Sequence, residues 1–217
     1  MIKTSINHDR IKIMVTKEYV AIKEEAIKSG ETDLIANARR GDLEAFNHLV
    51  LQYQDRIFNL AARILGDEDM AGDVTQTTFL AAYQNLAGFR NGSFQSWLYR
   101  IATNACYDQF RQQNRHPVAS IQDQELGEEN FLPLDDYSSH CTLPEKELER
   151  HELERVVQQA LNQLAIDMRN VVILVDMQDI DYQEAAQILH IPVGTVKSRL
   201  ARGRQRLRQL LNPTFTE

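Results

Sequence analysis

Six cations crowd one stretch near the C-terminus: Lys197, Arg199, Arg202, Arg204, Arg206 and Arg208, with Glu217 the only acid after His190. The whole chain carries a net charge of -7, so this run departs sharply from its surroundings. A merely solvated helix face mixes signs; this one does not. Thr195 and Ser198 stand among the cations. Ammonium and guanidinium groups neutralise phosphates, and hydroxyls and arginine forks read base edges, so nucleic-acid binding is the chemistry this set suits. A second set lies earlier. Phe89, Phe94, Tyr99, Tyr107 and Phe110 are interleaved with Arg90, Arg100, Arg111 and Arg115. Aromatic faces beside basic groups are what single-stranded nucleic acid needs, a stacking platform and a phosphate partner. Within that stretch Trp97 and Ile101 read as core, while Tyr107 and Phe110 fit either role.

The elements that must carry these residues can be read from caps and periodicity. In DYQEAAQILHIPVGTVKSRLARGRQRLRQLL, Asp181 and Glu184 have capping-box spacing. Ala185, Ala186, Ile188 and Leu189 give a small apolar face. The first helix is expected to stop at His190, because Ile191 precedes a proline. A second helix, opened by Gly194 or Thr195, puts Val196, Leu200, Gly203 and Leu207 on one stripe. Thr195, Lys197, Ser198, Arg202, Gln205 and Arg208 fall on the opposite arc. Short helix, tight turn and a longer helix with a basic outer face make a helix-turn-helix, whose second helix enters the major groove.

Upstream, residues 30–116 read as a four-helix domain. Thr32 or Asp33 caps the first helix, Asp42 the second, Asp67 the third and Ser93 the fourth. Gly41 and Gly66 stop the first two. Inward positions on the third helix are Met70, Val74, Phe79, Ala82, Tyr83 and Leu86. Residues 1–29 read as a flexible N-terminal extension, with Met14 as an alternative start. Residues 117–141 form an acidic linker: between Ile121 and Glu149 nine acids face a single Lys146. Residues 142–217 form the second domain, opened by Thr142 to Glu145 as a second capping box, with a helix over residues 167–178 before the helix-turn-helix. The fold class is therefore all-α: two small helical domains joined by an acidic linker, the C-terminal one a helix-turn-helix.

The C-terminal segment, IPVGTVKSRLARGRQRLR, resembles the promoter −35 reading helix of bacterial RNA polymerase sigma factors of the extracytoplasmic-function (ECF) group. His190 stands where that family usually has glycine. DLEAFNHLVLQYQDRIFNLAARILGD resembles the opening helices of the family's N-terminal domain. DVTQTTFLAAY resembles its grip on the β′ clamp helices of core polymerase, with Thr77 in place of the usual acid. GSFQSWLYRIATNACYDQFRQQNR resembles the segment that melts and reads the −10 element. The resemblance runs from about Gly30 to Leu211 with a gap at the linker. It implies −35 contacts from Thr195, Lys197, Ser198, Arg199, Arg202 and Arg206. For the −10 element it implies Phe89, Arg90, Asn91, Ser93, Phe94, Arg100, Tyr107 and Arg111, and for the polymerase Asp73, Gln76 and Phe79. It also implies an anti-sigma partner, and a linker that threads the polymerase.

Other classes are disfavoured. The two cysteines and six histidines lack metal-ligand spacing. No phosphate-cradling glycine loop or nucleophile elbow is present, so no cofactor, metal, small-molecule substrate or catalytic residue is expected. The cysteine usage suits a reducing cytoplasm. A stand-alone dimeric regulator would need a dimer seam, and Asn212-Pro213 stops the chain before one. A sequestering adaptor leaves the basic helix unexplained. Promoter elements about two dozen base pairs apart are separated by roughly 80 Å. A linker of ~25 residues covers that only when well extended, so polymerase is expected to supply the geometry.

Overall fold

The computed structural model describes residues 30–90, 92–115 and 144–212, with the side chains of 113–115 and 144–150 left aside. The N-terminal extension, Asn91, the acidic linker and the Thr142 cap lie outside the described residues. Within them all regular structure is helical: α1 (Glu31–Arg39), α2 (Leu43–Leu65), α3 (Glu68–Asn85), a 3-10 turn (Leu86–Gly88), α4 (Phe94–Arg115), α5 (Pro144–Asn162), α6 (Ile166–Val172), a π turn (Ile173–Met177), α7 (Tyr182–Leu189) and α8 (Val193–Leu211).

The caps place the elements. Asp42 accepts from the amides of Glu44 and Ala45 at 2.9 and 3.1 Å, starting α2. Gly66 ends it at φ 72°, a left-handed angle that glycine adopts without a Cβ penalty. Asp67 accepts from the Met70 amide at 2.8 Å, and Ser93 from the Ser96 amide at 3.1 Å. Asp181 takes two amides at the start of α7, and His190 ends it at φ 53°. His190 thus occupies the left-handed position that the missing glycine would have held.

α2 is the spine. Leu49, Ile57, Leu60, Ala61 and Ile64 are fully buried along it. Truncating any one of the larger of these to alanine costs about 2–5 kcal/mol in a packed core. α1, α3 and α4 pack around it, and so do α5, α6 and the π turn of the second domain. The two domains are therefore in direct contact.

Several boundaries differ from those read off the sequence. α1 starts after Gly30 and α8 after Pro192, one to three residues earlier than the polar caps suggested. Proline's fixed φ prepares the chain for a helix start, which explains the second case. Tyr83 is 44% exposed rather than inward. The single helix expected over residues 167–178 breaks at Val172 into the π turn. The five consecutive apolar residues Val171–Val175 cannot all face one side of an α-helix. They touch α2 of the first domain and α7 and α8 of their own, so the run is buried nearly all round.

α8 approaches α6 closely at Gly203, where an added Cβ would lie 2.6 Å from Val172 Cγ2. At Gly72, inside α3, an added Cβ meets nothing within 4 Å. Gly203→Ala is therefore expected to destabilise the protein by ~1–3 kcal/mol despite alanine's better helix propensity. Gly72→Ala is expected to stabilise it by about 0.5–1 kcal/mol. Thermal and urea unfolding of the two variants check this; equal signs would contradict the packing.

Candidate nucleic-acid interface

The basic helix divides into tethered and outward groups. Arg199 is half-buried and donates to Asp167 Oδ2 at 2.9 Å. Arg204 forms a fork with Asp176 at 3.0 and 2.5 Å, which raises its pKa further above the ordinary arginine value. Lys197, Ser198, Arg202, Arg206 and Arg208 stay exposed, and Thr195 is half-buried. Ser198, Arg202 and Arg206 recur at four-residue spacing and share one face. Ser198 Oγ donates to the Thr195 carbonyl at 3.1 Å, leaving its lone pairs outward. Lys197 Nζ lies 5.9 Å from the Tyr182 ring, so one end of the row rests on an aromatic surface.

The second surface surrounds the start of α4. Phe89 and Phe94 are buried and stack edge-on at 5.4 Å. Trp97 lies 5.3 and 5.5 Å from them, and Tyr53 closes the cluster against Phe94. Phe89 and Phe94, read from sequence as stacking platforms, instead form the floor that fixes the loop. Arg90 and Ser93 are exposed and Arg100 is half-exposed. These three and Trp97 line a cavity of about 330 Å³, closed on the far side by Glu184, Gln187 and Ile188 of α7. Arg111 stays outside, 3.5 Å from Asp108. Tyr107 points across the domain seam and donates to Asp167 Oδ1 at 2.9 Å. Burial first, then the bond to Asp167, pushes its phenol up to about 12.

The seam itself was not legible in the sequence. Arg169 is 5% exposed. It donates to the carbonyls of Ile64 and Asn162 at 2.6 Å each and of Leu164 at 3.2 Å. Gln158 donates to the Arg63 carbonyl at 3.1 Å, and Tyr99 to Gln178 at 2.6 Å. Ser96 donates to Glu184, whose carboxylate therefore does not fold back to complete the expected capping box. The one available signal was Arg169 itself, a lone cation entering an apolar run.

A third surface lies between α2 and α3. A groove of about 420 Å³ is lined by Phe46, Val50, Gln76, Phe79, Leu80 and Tyr83, among others. Asp73 and Gln76 are exposed, while Phe79 is buried in its floor. Leu43 and Leu80, 57% and 61% exposed, add apolar surface that the sequence reading missed. The signal was Phe79-Leu80, since two adjacent helical residues cannot both point inward.

A helix-turn-helix with an outward basic row, packed beside a helix that frames an arginine-lined cavity, has the form of a DNA-binding protein. Known families agree. The sigma-70 region 2 profile matches residues 49–116 and the sigma-70 region 4 profile residues 154–207. The chain is 35% identical to the RNA polymerase sigma-H factor of Pseudomonas aeruginosa over 188 residues, 86% of this chain and 96% of that protein. It is 36% identical to the ECF sigma factor SigW of Bacillus subtilis, over 82% of this chain and 94% of that protein. The solved sigma factor RpoE of Bartonella quintana, in complex with the anti-sigma factor NepR, matches with TM-score 0.61 and 26% identity, over 78% of this chain and 98% of that one. The chain belongs to the RNA polymerase sigma factors, in the ECF group. Sigma factors are initiation factors rather than enzymes, and promoter recognition is their general function.

The tethering makes a sharp distinction between neighbouring arginines. In polymerase holoenzyme, Arg206→Ala is expected to lower the slope of log affinity against log salt by about 0.9, one phosphate contact. Arg204→Ala, which removes a cation already committed to Asp176, is expected to change that slope far less. Promoter-binding titrations across salt concentrations measure both; equal losses would show that Arg204 leaves its acid to meet DNA.

Proposed function

We propose that α8 reads the −35 element through Lys197, Ser198 and Arg202, with Thr195, Arg199 and Arg206 on the flanking backbone. The α4 end, with Arg90, Asn91, Ser93, Arg100, Tyr107 and Arg111, opens and holds the −10 element. Its cavity takes an unpaired base, held by the polar loop over the Phe89 and Phe94 floor. The α2–α3 groove, with Asp73, Gln76 and Phe79, docks on the β′ clamp helices of core polymerase. The observation that carries this reading is the exposed basic row of α8, outward on the helix that buries Val196 and Leu200 on its other side. Residues 30–116 and 142–217 are the two working domains, and residues 117–141 connect them through the polymerase.

The site of action is the cytoplasm, where RNA polymerase works. No helix among the described residues is long and apolar enough to cross a membrane. An anti-sigma factor is the expected regulator, supported by the solved relative that holds one. Exposed apolar groups in a groove mark a protein-binding surface, which supports the polymerase assignment.

Run-off transcription on a genomic fragment pool, with and without core polymerase, tests the reading. Discrete transcripts are expected only when both are present. Leu80→Asp is expected to weaken core binding by tenfold or more while leaving the melting temperature unchanged, since Leu80 is 61% exposed. Arg202→Ala is expected to reduce −35 dependence and keep core binding; loss of core binding instead would remove its assigned role.

A further inference from the structure

The reading role of α8 leaves two residues after that helix without a part. Past Glu184 the sequence holds one acid, Glu217, and past Tyr182 one aromatic, Phe215. Both fall within residues 213–217, Pro-Thr-Phe-Thr-Glu, which lie outside the described residues and follow Asn212, the C-cap of α8. Beside the last turns of α8 the structure holds a cavity of about 340 Å³. Leu164 and Met168 lie in its floor. Its wall is a stripe of α8, Arg202, Gln205, Arg206 and Gln209, at the three- and four-residue spacing of one helix face. Arg206 leans along this stripe onto Gln209 Oε1 at 3.4 Å. No acid is part of the lining.

We propose that residues 213–217 fold back along α8 and seat Phe215 in this cavity, with the Glu217 carboxylate on Arg202 and Arg206, so that the tail competes with promoter DNA for those two arginines. This rests on the assignment of α8 to the −35 element. Pro213 has no N–H, so the helix ladder does not continue through it. The reach is sufficient. At about 1.5 Å of rise per residue, Arg206 lies about 9 Å and Arg202 about 15 Å before Asn212. Three extended residues span about 10 Å and five about 17 Å. Phe215 therefore comes level with Gln205 and Arg206, and Glu217 with Arg202. The space suits the ring, since an apolar cavity of ~150 Å³ accepts benzene. The charges suit as well. Two guanidinium groups face a cavity without a carboxylate, and Glu217 is the acid nearest to both in sequence. Arginine takes a carboxylate and a phosphate with the same forked geometry, so Glu217 stands in for the DNA backbone. Arg199 and Arg204 already have acids of their own in Asp167 and Asp176; the tail supplies one to Arg202 and Arg206. An exposed ion pair shifts an equilibrium by about twofold to fivefold, which tunes promoter affinity rather than silencing it.

The test uses the full-length chain. With p-benzoylphenylalanine in place of Phe215, photolysis of the free chain is expected to link position 215 to Leu164, Met168 or the 205–209 stretch of α8, read by mass spectrometry of the digested protein. In polymerase holoenzyme, Glu217→Gln and Phe215→Ala are each expected to tighten binding to promoter DNA by about twofold to fivefold, with the gain confined to promoters that carry a −35 element. No link, or links elsewhere in the chain, would overturn the proposal. Links to core polymerase alone would overturn it too, by making the cavity a polymerase contact. Tightening by Glu217→Gln without any from the charge-neutral Phe215→Ala would report general repulsion between an acid and DNA, and would overturn the seating of the ring. Unchanged affinity in both variants would overturn the competition. An Arg202→Ala chain that keeps its −35 dependence would remove the reading of α8, and the competition with it, while the link from position 215 still decides where the tail sits.

Discussion

Arg169 carries a buried positive charge with no acid beside it. Three carbonyl oxygens answer it, from Ile64, Asn162 and Leu164. Two of these, at Ile64 and Asn162, belong to the last turns of α2 and α5, where helix carbonyls have no partner within their own helix. The negative ends of two helix dipoles thus converge on one guanidinium. Burial lowers its pKa from the ordinary arginine value, though arginine's wide margin keeps it charged at neutral pH. Removing the side chain would orphan buried carbonyls in both domains at once, at about 1–3 kcal/mol for each. The neighbouring contact is just as tight: an added Cβ on Gly66 would lie 2.5 Å from Asn162 Nδ2. Glycine at that position both ends α2 and lets the second domain approach it.

From that junction the rest of the geometry follows. α6 leaves Arg169 and runs under α8, where Val172 fills the space left by Gly203. That close approach sets which arc of α8 faces outward. Arg199 and Arg204 point back to Asp167 and Asp176, while Lys197, Arg202, Arg206 and Arg208 remain in solvent. A helix that looks uniformly basic in sequence is therefore a mixed surface in three dimensions. Internal acids neutralise two of its six cations, and the acidic chain around it repels DNA in general.

Much of this was legible in the residues. The caps at Asp42, Asp67, Ser93 and Asp181 were read correctly because each is a local event between a side chain and an amide two or three positions on. The helix-turn-helix was legible for the same reason, down to the stop at His190. The π turn was not, because the Val171–Val175 run carries no period; only its burial between three helices decides its shape. Phe89 and Phe94 were misplaced because an aromatic near an arginine reads alike whether it faces a base or a core. The seam was invisible for a deeper reason. Ile64 and Arg169 are 105 residues apart, and the bond between them uses a backbone carbonyl that every sequence possesses.

The acids on the seam and a promoter draw on the same chemistry. Arg199 can satisfy its guanidinium with Asp167 or with a phosphate, and the cavity beside Trp97 can hold Glu184 or a base. A group that must leave one partner to take another contributes only the difference between the two. The seam is mixed: buried apolar side chains of α2, α5, α6 and the π turn share one core, and around it lie the polar contacts of Arg169, Gln158 and Tyr99. Opening it would expose apolar area, at roughly 25 cal/mol per Å². The apolar groove of Leu43, Phe46, Leu80 and Tyr83 is lined in part by the same α2. Coupling between that groove and the seam has a short physical path, because α2 lines the first and carries Ile64 into the second.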